Sequence, residues 1–234
     1  MLLSVYEVIL FIKLETMSIL SSSIGRKVAM ALSGLFLVVF LSQHFTINIT
    51  SVFSEAIFNQ LSHFMGTNPL VQFIMQPILI FGVIFHFLMG FKLEIQNRKS
   101  REKKYTNYKG SANAPWVSRN MILSGFVVLS FLGLHMYDFW FPEMNYKYIE
   151  FLPEDPNRYF EELRHKFHDP LRVAFYSISF VFLALHLYHG FASSFQSVGV
   201  NNKYSGAIKT FTMAFALVIP AGFIFIALFH HFNA

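Results

Sequence analysis

The sequence predicts an all-α integral membrane protein with five transmembrane helices, four of them forming an up-down bundle. Three observations predict it. Hydrophobic residues are 54% of the 234 and charged residues only 13%, against about 25% charged in a soluble domain. Five segments are long enough and poor enough in charge to cross a bilayer. Histidines recur inside four of those segments in two repeated patterns.

The chain divides into an N-terminal extension, residues 1–20, and a membrane domain, 21–234. The extension is mildly apolar but too short to span. It carries Glu7, Lys13 and Glu15 and lacks the basic start and small-residue cleavage site of a signal peptide. Ser21, Ser22 and Ser23, followed by Arg26 and Lys27, make a capping entry to the first span. From Val28 to about Ile49 there is no charge, and 22 residues cross a ~30 Å core at ~1.5 Å each. A polar loop is expected from Asn48 to Asn68, with Glu55 its single acid. The second span runs from Pro69 to Lys92, and the third from about Trp116 to Phe141. The fourth covers Pro170 to about Gln196, and the fifth Ala207 to about Phe232. Pro220 within the fifth is tolerable where neighbouring helices resatisfy the freed backbone.

Charge fixes the expected orientation. The loop Lys92 to Arg119 holds eight Lys/Arg, whereas Pro142 to Asp169 holds seven acids against four Lys/Arg, with a surface helix expected over Glu154 to Phe167. The positive-inside rule then puts the N-terminus in the cytoplasm and the C-terminus outside. The absence of cysteine excludes disulfides, thiolate iron–sulfur ligation and covalent c-type haem attachment by this chain.

Ser33 to His44 reads SGLFLVVFLSQH and Ser124 to His135 reads SGFVVLSFLGLH: Ser-Gly, nine uncharged residues, His. His86 to Phe91 is HFLMGF and His186 to Phe191 is HLYHGF: His, three residues, Gly-Phe. Counted from the charged ends, His44 and His135 both lie roughly 25 Å from the inner surface, His86 roughly 9 Å and His186 roughly 15 Å. An outer pair and an inner pair follow, each drawn from two helices of one direction, which sit diagonally in an up-down bundle. Two imidazoles facing each other across a bundle core are what a bis-histidine haem needs. Gly34 and Gly125, ten residues before their histidines, fall near the inner level and give a flat ring close approach to the backbone. Gly90 and Gly190, one turn past His86 and His186, leave room around the ligand rings. Arg26, Lys27 and Arg119, at the inner mouths, are candidates for haem propionates; a solvated positive-inside face accounts for them equally.

A single histidine in a span is as readily a polar group satisfied by the backbone. Four in two paired patterns at two depths are harder to treat so, because each polar group in hydrocarbon needs its own compensation. His189 competes with His186, and depth does not separate them, although the repeated pattern favours His186. His230 and His231 are expected in the outer interface, and His63, His165 and His168 in solvent. A metal-ion transporter would gather its ligands at one depth with carboxylates; here the depths are two.

The stretches SGLFLVVFLSQH, FHFLMGF, SGFVVLSFLGLH and LHLYHGFASSFQSVG resemble the four ligand-bearing helices of the di-haem cytochrome b subunit of succinate dehydrogenase/fumarate reductase, in its single-chain, five-helix class. The resemblance covers about Ser21 to Ala234. It implies two haem b groups, His44 and His135 on the outer, His86 and His186 on the inner. In that family the fourth-helix ligand precedes glycines four and thirteen residues on, which here are Gly190 and Gly199 and select His186. It also implies cytoplasmic flavoprotein and iron–sulfur partners, menaquinone as substrate near the outer haem, and a bacterial inner membrane. A functional glutamate in or near the first outer loop of the fumarate-reductase branch points to Glu55. The expected role is an electron relay between an iron–sulfur partner and quinone, with no catalytic residue of the chain's own and no nucleic acid. Bis-imidazole ligation leaves no open iron position for O₂. A di-haem cytochrome b of another dehydrogenase, such as a hydrogenase, is the alternative. The direction of succinate or fumarate chemistry and dimerisation of the complex stay open.

Overall fold

A computed structural model describes residues 22–99 and 120–233. The extension 1–20, most of the basic loop and Arg119 lie outside the described residues. Seven helices are described: α1 Ser23–Phe53, α2 Glu55–Thr67, α3 Val71–Lys99, α4 Met121–Tyr148, α5 Arg158–Phe167, α6 Pro170–Ser197 and α7 Ser205–Phe232. Among the described residues there is no strand. Five of the helices, α1, α3, α4, α6 and α7, are long and apolar enough to cross a membrane, so the protein is a multi-pass helical membrane protein.

Local signals account for the ends. Ser22 caps α1, its hydroxyl accepting from the Gly25 N–H at 2.9 Å. Asp169 caps α6 through the Leu171 N–H at 2.9 Å, with Pro170 in the first turn. Gly199, at φ 86°, takes the left-handed turn that ends α6, where a side chain would be strained. Two helices contain a π-turn, Val71–Met75 in α3 and Met136–Trp140 in α4. Each lies just upstream of a proline, Pro77 or Pro142. Proline removes an N–H and crowds the carbonyl four residues back, and a widened turn absorbs both. Helix α4 therefore runs on through Pro142 to Tyr148, beyond the Phe141 end that the sequence suggests. Pro220 is buried within α7 and does not end it.

Helix α1 packs against α3 and α6, and α4 packs against the same two. So α1 and α4 occupy one diagonal, α3 and α6 the other. Helix α7 lies outside this four-helix ring, against α6 and α1. At one end of the bundle, α2 and α5 pack on each other and form a cap. The expected polar loop at Asn48–Asn68 is thus largely helix α2. Ser54 caps it, Glu55 suits its first turn, and Phe58 and Asn59 are buried on its inward face. The expected helix over Glu154–Phe167 begins later, at Arg158. Asn59 holds the two cap helices together, accepting from the Phe160 N–H at 2.8 Å and donating to the Asn157 carbonyl at 3.0 Å.

The buried core lies toward this capped end. Phe58, Leu163 and Phe167 from the cap meet Val173, Tyr176 and Phe180 of α6 and Phe223, Ile226 and Ala227 of α7. The cap carries its own ion network. The Arg158 guanidinium pairs with Glu143 and, at 2.6 Å, with Glu162, and lies between the Tyr146 and Tyr159 rings at 4.1 and 4.4 Å. Burial, then the Glu143 charge, pushes the Tyr159 phenol up to about 12. Beside it is a cavity of about 240 Å³ lined by His63, Gln72, Tyr146 and Arg158 among others.

Candidate functional site

Helices α1 and α4 bring His44 and His135 opposite each other across their diagonal, ring centres 5.6 Å apart and planes nearly perpendicular at 86°. Helices α3 and α6 bring His86 and His186 together across the other, at 6.3 Å and 69°. The first pair lies toward the capped end, where Phe40 stacks on His44 and Phe131 and Phe139 flank His135. Phe223 of α7 also packs on His44. The second pair lies toward the end where α1 begins, level with Ser33 and Gly34.

Glycine makes the second pair possible. A Cβ at Gly34 would stand 3.2 Å from Cε1 of His86, and one at Gly125 3.7 Å from Cε1 of His186. Gly90 and Gly190 are placed differently from the expectation: their nearest neighbours are the Met30 and Met121 methyls, at 3.2 and 3.4 Å, not a histidine ring. The arrangement is two-fold. Met30, Ser33 and Gly34 of α1 face His86 and Gly90 of α3 as Met121, Ser124 and Gly125 of α4 face His186 and Gly190 of α6.

The serines are the residues that sequence reasoning passed over. Ser33 Oγ lies 3.0 Å from Nδ1 of His86, and Ser124 Oγ 3.3 Å from Nδ1 of His186. The signal was in the repeat, which extends upstream as Met-x-Leu-Ser-Gly, Met30 to Gly34 and Met121 to Gly125. Asp138 was also missed. The π-turn brings its carboxylate inward, 1% exposed, to Arg172 at 2.9 Å and the Tyr176 hydroxyl at 2.8 Å. Tyr176 in turn packs on the His135 ring.

The remaining candidates spread out. His189 is half-buried on α6; the ring facing His86 is that of His186. Arg26 is half-buried and Lys27 exposed in the first turn of α1. Glu55 is exposed at the start of α2. His230, expected at an interface, is instead 2% exposed, its Nε2 2.9 Å from Ser51 Oγ, because α7 turns it onto α1. His63, expected in solvent, is half-buried in α2 against Tyr159, with Glu154 at 4.0 Å. His165 and His168 are exposed.

Two features fit a planar bis-imidazole group. Bonds of about 2.0–2.1 Å from a metal to each imidazole nitrogen, plus the ring radii, put axial ring centres roughly 6 Å apart, and the two pairs bracket that spacing. Nδ1 of His135 is buried with no hydrogen-bond partner, and the Gly34 and Gly125 faces leave bare backbone beside the other pair. Among the described residues no group of three or more His, Cys, Asp or Glu is arranged to hold a metal ion; the donors come in facing pairs, without the carboxylates of an ion-transport site. No protein-family model, no curated protein and no solved structure matches the chain.

Proposed function

We propose that the chain is a di-haem cytochrome b, the membrane anchor and electron-transfer subunit of a succinate:quinone oxidoreductase or quinol:fumarate reductase in a bacterial inner membrane. The observation that carries this reading is the stacking of two facing imidazole pairs at two levels of one bundle, 5.6 and 6.3 Å between ring centres. His44 and His135 would hold an outer haem b, His86 and His186 an inner one. When bound, the haems supply one-electron redox chemistry.

The chain's own residues do the rest. Each imidazole pair would hold one haem through two nitrogen ligands, which would leave no site for O₂. Gly34 and Gly125 let a flat ring reach the backbone. Phe40, Phe131, Phe139 and Phe223 keep water from the outer pair. Arg26 and Lys27, at the mouth of α1, with Arg119, would bind the inner propionates. The basic loop would face the flavoprotein and iron–sulfur subunits on the cytoplasmic side. Menaquinone would react near the outer pair, with Glu55 on the same side.

The test is the haem content of the chain purified from its native membrane. A pyridine haemochrome assay is expected to give two non-covalent b haems per chain, and flavin and iron–sulfur subunits are expected to copurify. One haem or none per chain overturns the assignment.

A further inference from the structure

Each inner histidine carries a serine partner, and each of those serines has a second acceptor in its own helix. Ser33 Oγ donates to the Met30 carbonyl at 2.8 Å, and Ser124 Oγ to the Met121 carbonyl at 2.9 Å. A hydroxyl has one proton and two lone pairs. With that proton on the helix carbonyl, each hydroxyl offers a lone pair toward Nδ1 of His86 and of His186, at 3.0 and 3.3 Å, and the imidazole nitrogen brings the hydrogen. We infer that Ser33 and Ser124 are positioning residues that hold His86 and His186 as the Nδ1–H tautomer, leaving the Nε2 lone pair of each for a metal between the rings.

A buried histidine needs some partner for its N–H whatever its role, so the choice of nitrogen is what matters. The chain contains an internal comparison. Ser51 uses the same device, its hydroxyl donating to the Asn48 carbonyl at 2.7 Å, but it lies 2.9 Å from Nε2 of His230. His230 is packed between helices against Phe160 and Phe229 and faces no second imidazole. There the serine takes up the outer nitrogen. At His86 and His186 it takes the inner one and leaves the nitrogen a ligand would use. The outer pair has no serine: Nδ1 of His135 has no partner, and His44 has the Asn48 amide at 3.4 Å. A hydrogen bond from the distal ring N–H raises the basicity of a ligating imidazole. That favours the oxidised metal, so the serines would hold the inner potential down and leave the outer one alone.

This inference rests on the proposed haem binding, and two readouts separate the failure of one from the failure of the other. The first is ¹⁵N-histidine NMR of the purified full chain, with signals assigned through His86→Gln and His186→Gln. Wild type is expected to show both residues as Nδ1–H. Ser33→Ala should shift the Nδ1–H signal of His86 only, as its acceptor is lost, Ser124→Ala that of His186 only, and Ser33→Thr should leave it in place, since threonine also back-bonds to its own helix. The second is a redox titration of the haem absorbance. Each alanine variant should raise the inner midpoint, with the oxidised-to-reduced ratio changing several-fold, while the outer midpoint and the threonine variant stay at wild type. An Nε2–H tautomer in wild type, or midpoints unmoved in both alanine variants at full haem content, overturns the inference. Should an alanine variant fail to fold, Ser33→Cys, a weak acceptor, carries the same expectations against Ser33→Thr. A wild-type chain without haem removes the proposed function, and the tautomer measurement still decides the serine role.

Discussion

Replacing His186 by alanine separates the assigned ligand from its neighbour three positions on. The His186 ring faces His86 at 6.3 Å, and its Nδ1 lies 3.3 Å from Ser124 Oγ. Truncation removes that ring and leaves Ser124 only its bond to the Met121 carbonyl. A buried large-to-small change costs about 2–5 kcal/mol; the half-buried setting puts His186→Ala near the lower end, about 2 kcal/mol. On the proposed function it also takes away one axial ligand, so haem should fall from two per chain to one, with the outer haem's low-spin spectrum intact. His189 is turned about 60° from that face on helical spacing and is half-exposed, so His189→Ala should cost under about 1 kcal/mol and keep both haems. The assay is haemochrome content with low-temperature EPR, read at equal protein level because an unfilled bundle core lowers yield. Retention of the inner haem by His186→Ala together with its loss from His189→Ala would refute the assignment and reduce the Gly-Phe repeat to a packing feature.

Two further outcomes follow from the geometry. A Cβ at Gly125 meets Cε1 of His186 at 3.7 Å, an ordinary contact, whereas one at Gly34 meets Cε1 of His86 at 3.2 Å, inside normal packing distance. Alanine gains about 0.5–1 kcal/mol over glycine within a helix and overpacking costs about 1–3 kcal/mol. In the haem-free chain Gly125→Ala should therefore raise stability in denaturant titrations and Gly34→Ala lower it by about 1 kcal/mol, and equal shifts would show that His86 yields freely. Tyr159 has its phenol held near 12 by burial and Glu143. Its pKa is raised on folding, so the stability it contributes is complete below about 10 and is lost as pH rises through 12. Tyr159→Phe should shift alkaline unfolding, followed by circular dichroism, to higher pH, and an unchanged alkaline midpoint would contradict the burial argument.

What was legible in the sequence was whatever counting along a helix can reach. Charge-free length gave the five spans, and residue counts from Lys27, Arg119 and Lys92 gave histidine depth, hence which two rings could lie at one level. Gly34 and Gly125 were legible in the same way, being one fixed distance along a rigid rise from His44 and His135. Azimuth was less accessible. His230 falls at the end of the last span, where an interface position is the natural reading; only the packing of α7 on α1 shows it buried against Ser51. Asp138 was passed over for a different reason: the π-turn at Met136–Trp140 breaks the 3.6-residue period on which facing is judged, although Pro142 could have signalled it. Helix α2 was read as loop because its composition is polar, yet its cap at Ser54 and the buried Phe58 are what fold it. Ser33 and Ser124 were in view throughout, but the glycine beside each absorbed the explanation.

The two-fold repeat of the bundle makes the two histidines of each pair alike, and the surroundings make the two pairs different. At the Ser33 end the environment is set by the repeat itself: a serine on each Nδ1 and a glycine beside each ring. At the capped end the repeat is overridden by elements that have no counterpart in it. Helix α7 contributes Phe223 against His44, and the cap packs Phe167 on Tyr176, which touches His135 and is tied to Asp138 and Arg172. One pair thus has hydrogen-bonded rings beside bare backbone, and the other has aromatic packing around one ring nitrogen without a partner. Ligand identity, hydrogen bonding and burial are the levers by which a protein sets a redox centre's potential. On the proposed function both centres would have the same imidazole ligands, so any difference in potential between them would have to come from the other two. That is a direct route by which a duplicated helix pair, capped at one end only, could give an electron path a direction.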